Sequence, residues 1–157
     1  MPNLTGSAEV IHNDTISTDA TQQVALGTRA RDVNANEYIY LLGTAALVGG
    51  TWVHYNLDTG TTEKMTAGAV RPVAISGTSI TAGLYGWFQI FGKNTLAATD
   101  TVAALKQLYI DGTAGRADDL AVSGDAIVNA ISLTADTSNV ATVFIQYPYT
   151  LGTGISS

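Results

Sequence analysis

Residues Tyr85–Lys93 read YGWFQIFGK, with four aromatic residues among nine and a glycine near each end. Aromatic and β-branched residues between glycines favour an extended strand over a helix. Side chains alternate along a strand. Trp87, Gln89 and Phe91 therefore face one way, and Phe88 and Ile90 the other. Both faces are largely apolar, so this strand belongs in the centre of a sheet or has an outer face covered by another subunit. It contains no general base, no thiol and no metal ligand.

The same grammar runs along the chain. Glu37–Leu42 (EYIYLL) puts Tyr38 and Tyr40 on one face and Ile39 and Leu41 on the other. Thr51–Tyr55, Val70–Ile75, Leu108–Ile110, Ala126–Leu133 and Val140–Tyr147 read as further strands. The segment Gln23–Ala30 alternates loosely. Pro72 cannot donate to a ladder, so it marks an edge strand or a strand start. Turns are expected at Val33–Asn36, Asp58–Gly60 and Asp111–Gly112. Asp136–Asn139 would join the last two strands as a hairpin. Asp100–Gln107 (DTVAALKQ) opens on a good N-cap followed by helix formers, and could make one or two helical turns. Short strands with turn signals every eight to twelve residues predict an all-β fold, a small β-barrel or β-sandwich with at most one short helix.

Residues 1–21 are polar, with isolated apolar side chains at Leu4, Val10, Ile11 and Ile16. That is too little to hold a core element. We expect an extended N-terminal arm over 1–21 that orders against another surface, and a single β domain over 22–157 with a loose tail after Pro148. The first residues lack the basic and apolar regions of a signal peptide. No apolar run is long enough for a membrane-spanning helix.

Only 13% of residues are charged, about half the usual share. Either hydroxyls solvate this surface or other chains cover part of it. The net charge is −6, and the seven basic residues are scattered, with only Arg29 and Arg31 close in sequence. A nucleic-acid backbone or an anionic membrane needs clustered Lys and Arg, so neither is an expected partner.

Chemistry is sparse. With no cysteine and two histidines, His12 and His54, no zinc spacing arises, and no cofactor is expected. His54 lies within a strand and reads as a solvent-face or interface residue. Asp111, Asp118 and Asp119 could share a loop, but the calcium-loop spacing is missing. Gly92-Lys93 lacks the upstream glycine and the following Ser or Thr of a phosphate loop, and no nucleophile elbow occurs. Trp52, Trp87, Tyr38, Tyr40, Tyr55, Tyr85 and Phe88 could form a stacking platform for sugars, although aromatics in strands more often pack in cores. The chain does not read as an enzyme.

One order of motifs carries a resemblance. Arg71–Ile75 (RPVAI) precedes YGWFQIFGK. A small-residue stretch follows over 96–115 (LAATDTVAALKQLYIDGTAG), and Gly124-Asp125-Ala126 then opens a β segment. This order, with Glu37–Asn56 (EYIYLLGTAALVGGTWVHYN) upstream, resembles capsid decoration (cement) and head-fibre proteins of tailed bacteriophages over residues 35 to 147. The resemblance implies a structural protein on the outer surface of the virion, made in the host cytoplasm. It implies the major capsid protein as partner and a homo-oligomer, often a trimer. Its job would be to bridge capsomers, with the arm residues Leu4, Val10, Ile11 and Ile16 as the strap. The alternative is a carbohydrate- or receptor-binding β module using Trp and Tyr stacking.

Overall fold

The computed structural model describes residues 18–152, which form ten strands and no helix. They are β1 Arg29–Arg31, β2 Glu37–Gly43, β3 Trp52–Tyr55, β4 Thr61–Lys64, β5 Val73–Ser76, β6 Tyr85–Ala98, β7 Gln107–Ile110, β8 Ala117–Asp118, β9 Ala126–Ser132 and β10 Val140–Thr150. The expected all-β architecture is therefore observed.

The 14-residue β6 organises the sheet. Its first half pairs antiparallel with β2 and with β5. The order β2-β4-β3-β5-β6, with β6 paired back to β2, closes a ring of five strands. Only β2–β4 in that ring is parallel. The second half of β6 starts a further run, β6-β10-β9-β7-β8. This run curls back on itself: Ala117 of β8 bridges Thr99 beside the end of β6, and the Asp100 amide donates to the Ala117 carbonyl at 2.9 Å. The handover falls at Phe91, which lies opposite Glu37 of β2 and Gln146 of β10. A register shift in the β2 pairing accompanies it. The next residue, Gly92, has φ +109, and a Cβ there would lie 2.1 Å from Asn36 Oδ1. Only glycine permits both the dihedral and that approach.

Alternation sorts the core into three clusters. Ile39 and Leu41 of β2, Val53 of β3, Ala74 of β5, and Phe88 and Ile90 of β6 fill the closed ring. The neighbours of Val53 and Ala74 point the other way. Trp52, Val73 and Ile75 pack against Leu108, Ile127, Val143 and Ile145 of the second run. The β3–β5 wall is thus buried on both faces, which explains its near-continuous apolar sequence. The Trp52 indole N–H is satisfied by the Ala98 carbonyl at 3.0 Å. Tyr38, Tyr40 and Trp87 form the third cluster on the outside of β2 and β6, where Ala30, Val24 and Leu26 cover them. The alternation predicted for EYIYLL and for Trp87 against Phe88 and Ile90 holds. The outer face of β6 at Trp87 is covered by this chain's own segment before β2.

Several expectations are corrected. Asp100–Gln107 forms bends and a turn rather than a helix. Thr101 and Leu105 take φ of 51° and 60°, incompatible with a right-handed helix. The segment is tied to the end of β9 instead: the Lys106 amide donates to Ser132 Oγ, and the Ser132 hydroxyl donates to the Ala103 carbonyl. Of Gln23–Ala30 only Arg29 and Ala30 belong to a strand. Pro72 stands just before the start of β5, a central strand, so the strand-start reading applies. The polar β4 and the two-residue β8 were not expected. The loose tail does not begin at Pro148, since β10 continues to a buried Thr150. Residues 18–21 do not stand clear of the domain either: Asp19 exchanges backbone hydrogen bonds with Tyr85 at 2.9 Å, and Tyr40 Oη donates to its carboxylate at 2.8 Å.

Candidate docking face

Leu4, Val10, Ile11 and Ile16 lie outside the described residues, as does His12. The other residues singled out from sequence can be located. His54 is fully buried, not on a solvent face. Its alternating neighbours Val53 and Tyr55 face one core cluster, and the other side of β3 is covered by the end of β10. Thr150 Oγ1 lies 3.0 Å from His54 Nε2 and donates its own proton to the Ala69 carbonyl at 2.5 Å. The ring must therefore donate from Nε2, which leaves Nδ1 as a buried acceptor with no partner among the described residues. Burial pushes the imidazole pKa down to about 4; the nearby Glu63 opposes this and Arg71 reinforces it. The buried ring sits in the wall of a concavity of about 260 Å³ that Glu63 and Arg71 also line.

The acidic residues near Asp118 serve mainly as acceptors for backbone amides. Asp111 accepts from the Thr113 amide and Asp118 from the Leu120 amide, each within its own turn, whereas Asp119 accepts from the Ala103 amide sixteen positions earlier. Partial burial raises the Asp118 pKa, the Leu120 amide lowers it, and Asp111, Asp119 and Asp100 raise it further. No group of three His, Cys, Asp or Glu able to hold a metal occurs among the described residues.

The proposed sugar platform is also lost. Trp52, Trp87, Tyr38, Tyr40, Tyr55 and Phe88 are buried and Tyr85 is half-buried. Tyr40 packs on Trp87 at 5.0 Å and stacks on Tyr85 at 6.1 Å. Desolvation raises the Tyr40 hydroxyl to about 12.

The accessible aromatics are different ones. Phe91 of β6 meets Phe144 of β10 edge-on at 5.9 Å and Tyr147 at 5.6 Å. Ile131 of β9 lies opposite Phe144, and Val128 lies opposite Tyr149. Val143 and Ile145 point into the core, so Phe144 and Ile131 point outward from the same sheet face. Ile131, Tyr147 and Tyr149 are 40%, 45% and 41% exposed. Tyr147 joins this face because β10 shifts register between Ile145 and Tyr149, with Tyr147 at φ 49°. Simple alternation along VATVFIQY could not reveal it.

One end of the strip carries charge. Glu37 is nearly buried, with Arg31 at 3.4 Å and Arg29 at 3.7 Å. Tyr147 Oη donates to its carboxylate at 2.7 Å, and that bond is the main reason the Tyr147 pKa is raised. Arg29 lies over the Tyr147 ring at 5.7 Å. Half-exposed arginines beside accessible tyrosine and aliphatic side chains have the composition of a protein-binding hot spot.

A second concavity of about 580 Å³ is lined by amides, including Asn36, Gln89 and Asn94. These amides are largely engaged within the fold. Gln89 Nε2 donates to the Phe91 and Lys93 carbonyls, Asn94 Nδ2 donates to Gln89 Oε1, and Asn36 Nδ2 donates to Asp32. They brace the β2–β6 handover rather than present a recognition surface. No protein-family model, no curated protein and no solved structure matches the chain.

Proposed function

We propose that this chain is a non-enzymatic structural protein of a phage virion, binding the outside of the assembled capsid and stabilising it by bridging capsomers. The observation that carries the reading is the strip of exposed Ile131, Tyr147 and Tyr149 and half-buried Phe91 and Phe144, with its arginine end. It joins the motif order that resembles cement and head-fibre proteins and a charge content low enough for extensive subunit contact. The partner is the major capsid protein. Arm residues Leu4, Val10, Ile11 and Ile16 add a strap, and a homotrimer would multiply the attachment points.

The energetic logic is mass action. A ligand that binds the assembled shell more tightly than its free subunits stabilises assembly. Many modest contacts acting together hold longer than any single one. The competing carbohydrate-binding reading would have to rest on Tyr147 and Tyr149, because Trp52, Trp87, Tyr38, Tyr40, Tyr55 and Phe88 are buried.

Co-sedimentation with capsids tests the proposal. Ile131→Lys places a charge on the strip at an exposed position, and removal of residues 2–17 takes away the strap while keeping Asp19. The proposal expects weaker shell binding from each change, with the fold intact by circular dichroism. Shell binding unchanged by both would refute this docking scheme, and glycan-array binding without shell binding would favour the carbohydrate module.

A further inference from the structure

The distribution of positive charge points to a second recognition site. Arg29 and Arg31 face Glu37, and Arg71 faces Glu63. Lys64, Lys93, Lys106 and Arg116 have no ion-pair partner among the described residues. Two of these four, Lys64 and Arg116, line one cleft of about 420 Å³, and no acidic residue lines it.

The cleft is built by backbone. Gly115 donates to the Met65 carbonyl at 2.9 Å and accepts from the Trp52 amide at 3.0 Å, which pins the turn before β8 onto the ends of β3 and β4. Gly115 has φ +84, and a Cβ there would lie 2.6 Å from Thr51 Cγ2 and 3.7 Å from Lys64 Cγ. Glycine thus admits the Thr51 methyl and keeps the Lys64 stem beside the residue preceding Arg116. The facing wall is a tight turn. Thr137 and Val140 exchange backbone hydrogen bonds around Ser138 and Asn139, whose φ values are 54° and 64°, as in a type I′ hairpin. The Asn139 carbonyl accepts from the Thr99 amide at 3.0 Å, which fixes this wall to the end of β6. Val48, Leu96 and Val140 give the cleft an exposed aliphatic rim.

Both cations line the same concavity, and no acidic side chain lines it. On a molecule of net charge −6 this is a local field of the opposite sign. A carboxylate matches the guanidinium fork of Arg116 and the point charge of Lys64. The aliphatic rim favours a carboxylate carried between apolar residues over a free ion. We propose that the Lys64–Arg116 cleft binds an acidic side chain of a partner protein segment, with the aliphatic neighbours of that side chain seated on Val48, Leu96 and Val140. This site is separate from the aromatic strip and does not depend on the identity of the shell.

The test is an amide NMR titration of the full chain with Ac-Val-Glu-Val-NH₂, with Ac-Val-Gln-Val-NH₂ and with inorganic phosphate. The Glu peptide should shift the amides of Gly49, Gly115 and Asn139 saturably, and the Gln peptide should bind about tenfold more weakly, the loss of one good ion pair. Lys64→Gln and Arg116→Gln should each weaken the Glu peptide several-fold while leaving the Gln peptide unaffected. Equal binding of the two peptides, or no shift at millimolar peptide, would overturn the proposal. Phosphate competing as well as the Glu peptide would make this a bare anion site and overturn it too. Self-association without peptide that disappears in Arg116→Gln would assign the cleft to a second copy instead.

Discussion

Acidification should destabilise this protein through His54. The ring is fully buried, it donates from Nε2 to Thr150, and its Nδ1 has no partner among the described residues. Its pKa falls from 6.5 to about 4 in the fold. Above pH 6.5 the ring is neutral in both folded and unfolded chains and contributes no pH dependence. As pH falls below 6.5 the unfolded chain takes up a proton that the folded ring resists, so the unfolded state gains. The loss continues to about pH 4, where the folded ring also protonates, and then levels off. At 1.36 kcal/mol per pH unit, the interval amounts to about 3 kcal/mol as an upper bound. Other ionisable groups add their own pH dependence, so the signal is a difference. Urea unfolding of wild type and His54→Gln at pH 7.5, 5.5 and 4.2 isolates it. Wild type should lose about 2–3 kcal/mol more than the variant across that range. Parallel pH profiles, or an NMR titration of His54 with a midpoint near 6.5, would refute the reasoning.

Other substitutions probe the fold's joints. Glu37→Gln keeps the shape but removes the charge that holds Arg29, Arg31 and Tyr147; urea melts should show a loss of about 1–3 kcal/mol, and about 1 kcal/mol for Tyr147→Phe. Gly50→Ala would put a Cβ 1.8 Å from the Leu96 carbonyl oxygen at φ +91, and soluble expression should fail. Gly68→Ala has the same φ but meets nothing within 4 Å, so it should cost only about 1–2 kcal/mol in thermal unfolding. Phe88→Ala empties the centre of the closed ring and should cost about 3–5 kcal/mol. Removing residues 2–17 should leave the melting temperature unchanged, whereas extending the deletion to 20 removes the bonds of Asp19 to Tyr85 and Tyr40 and should lower it by several degrees.

Period-2 patterning made much of this fold readable. EYIYLL and YGWFQIFGK each separate two clusters as their alternation predicts, because both strands are buried on two faces. Signals of composition rather than period misled. DTVAALKQ has helix propensity, yet the hydroxyl and backbone of Ser132 capture its amides and carbonyls, and tertiary contacts override propensity. His54 looked like a surface residue because nothing in TWVHY announces that Thr150, 96 positions later, will cover it. β4 and β8 escaped notice because a polar TTEK and a two-residue AD carry no apolar pattern. The docking strip was hidden for a related reason. It depends on a register shift at Tyr147 and on the handover of β6 at Phe91, and neither is a property of a local window.

On the proposed function, the chain binds and reinforces an assembled shell. The most direct measurement is the rupture temperature of empty, expanded phage heads, with and without saturating purified protein. Saturable co-sedimentation with the shells is expected, with a rise in rupture temperature that follows occupancy. Shells that rupture at the same temperature with the protein present, and that leave it in the supernatant, would contradict it.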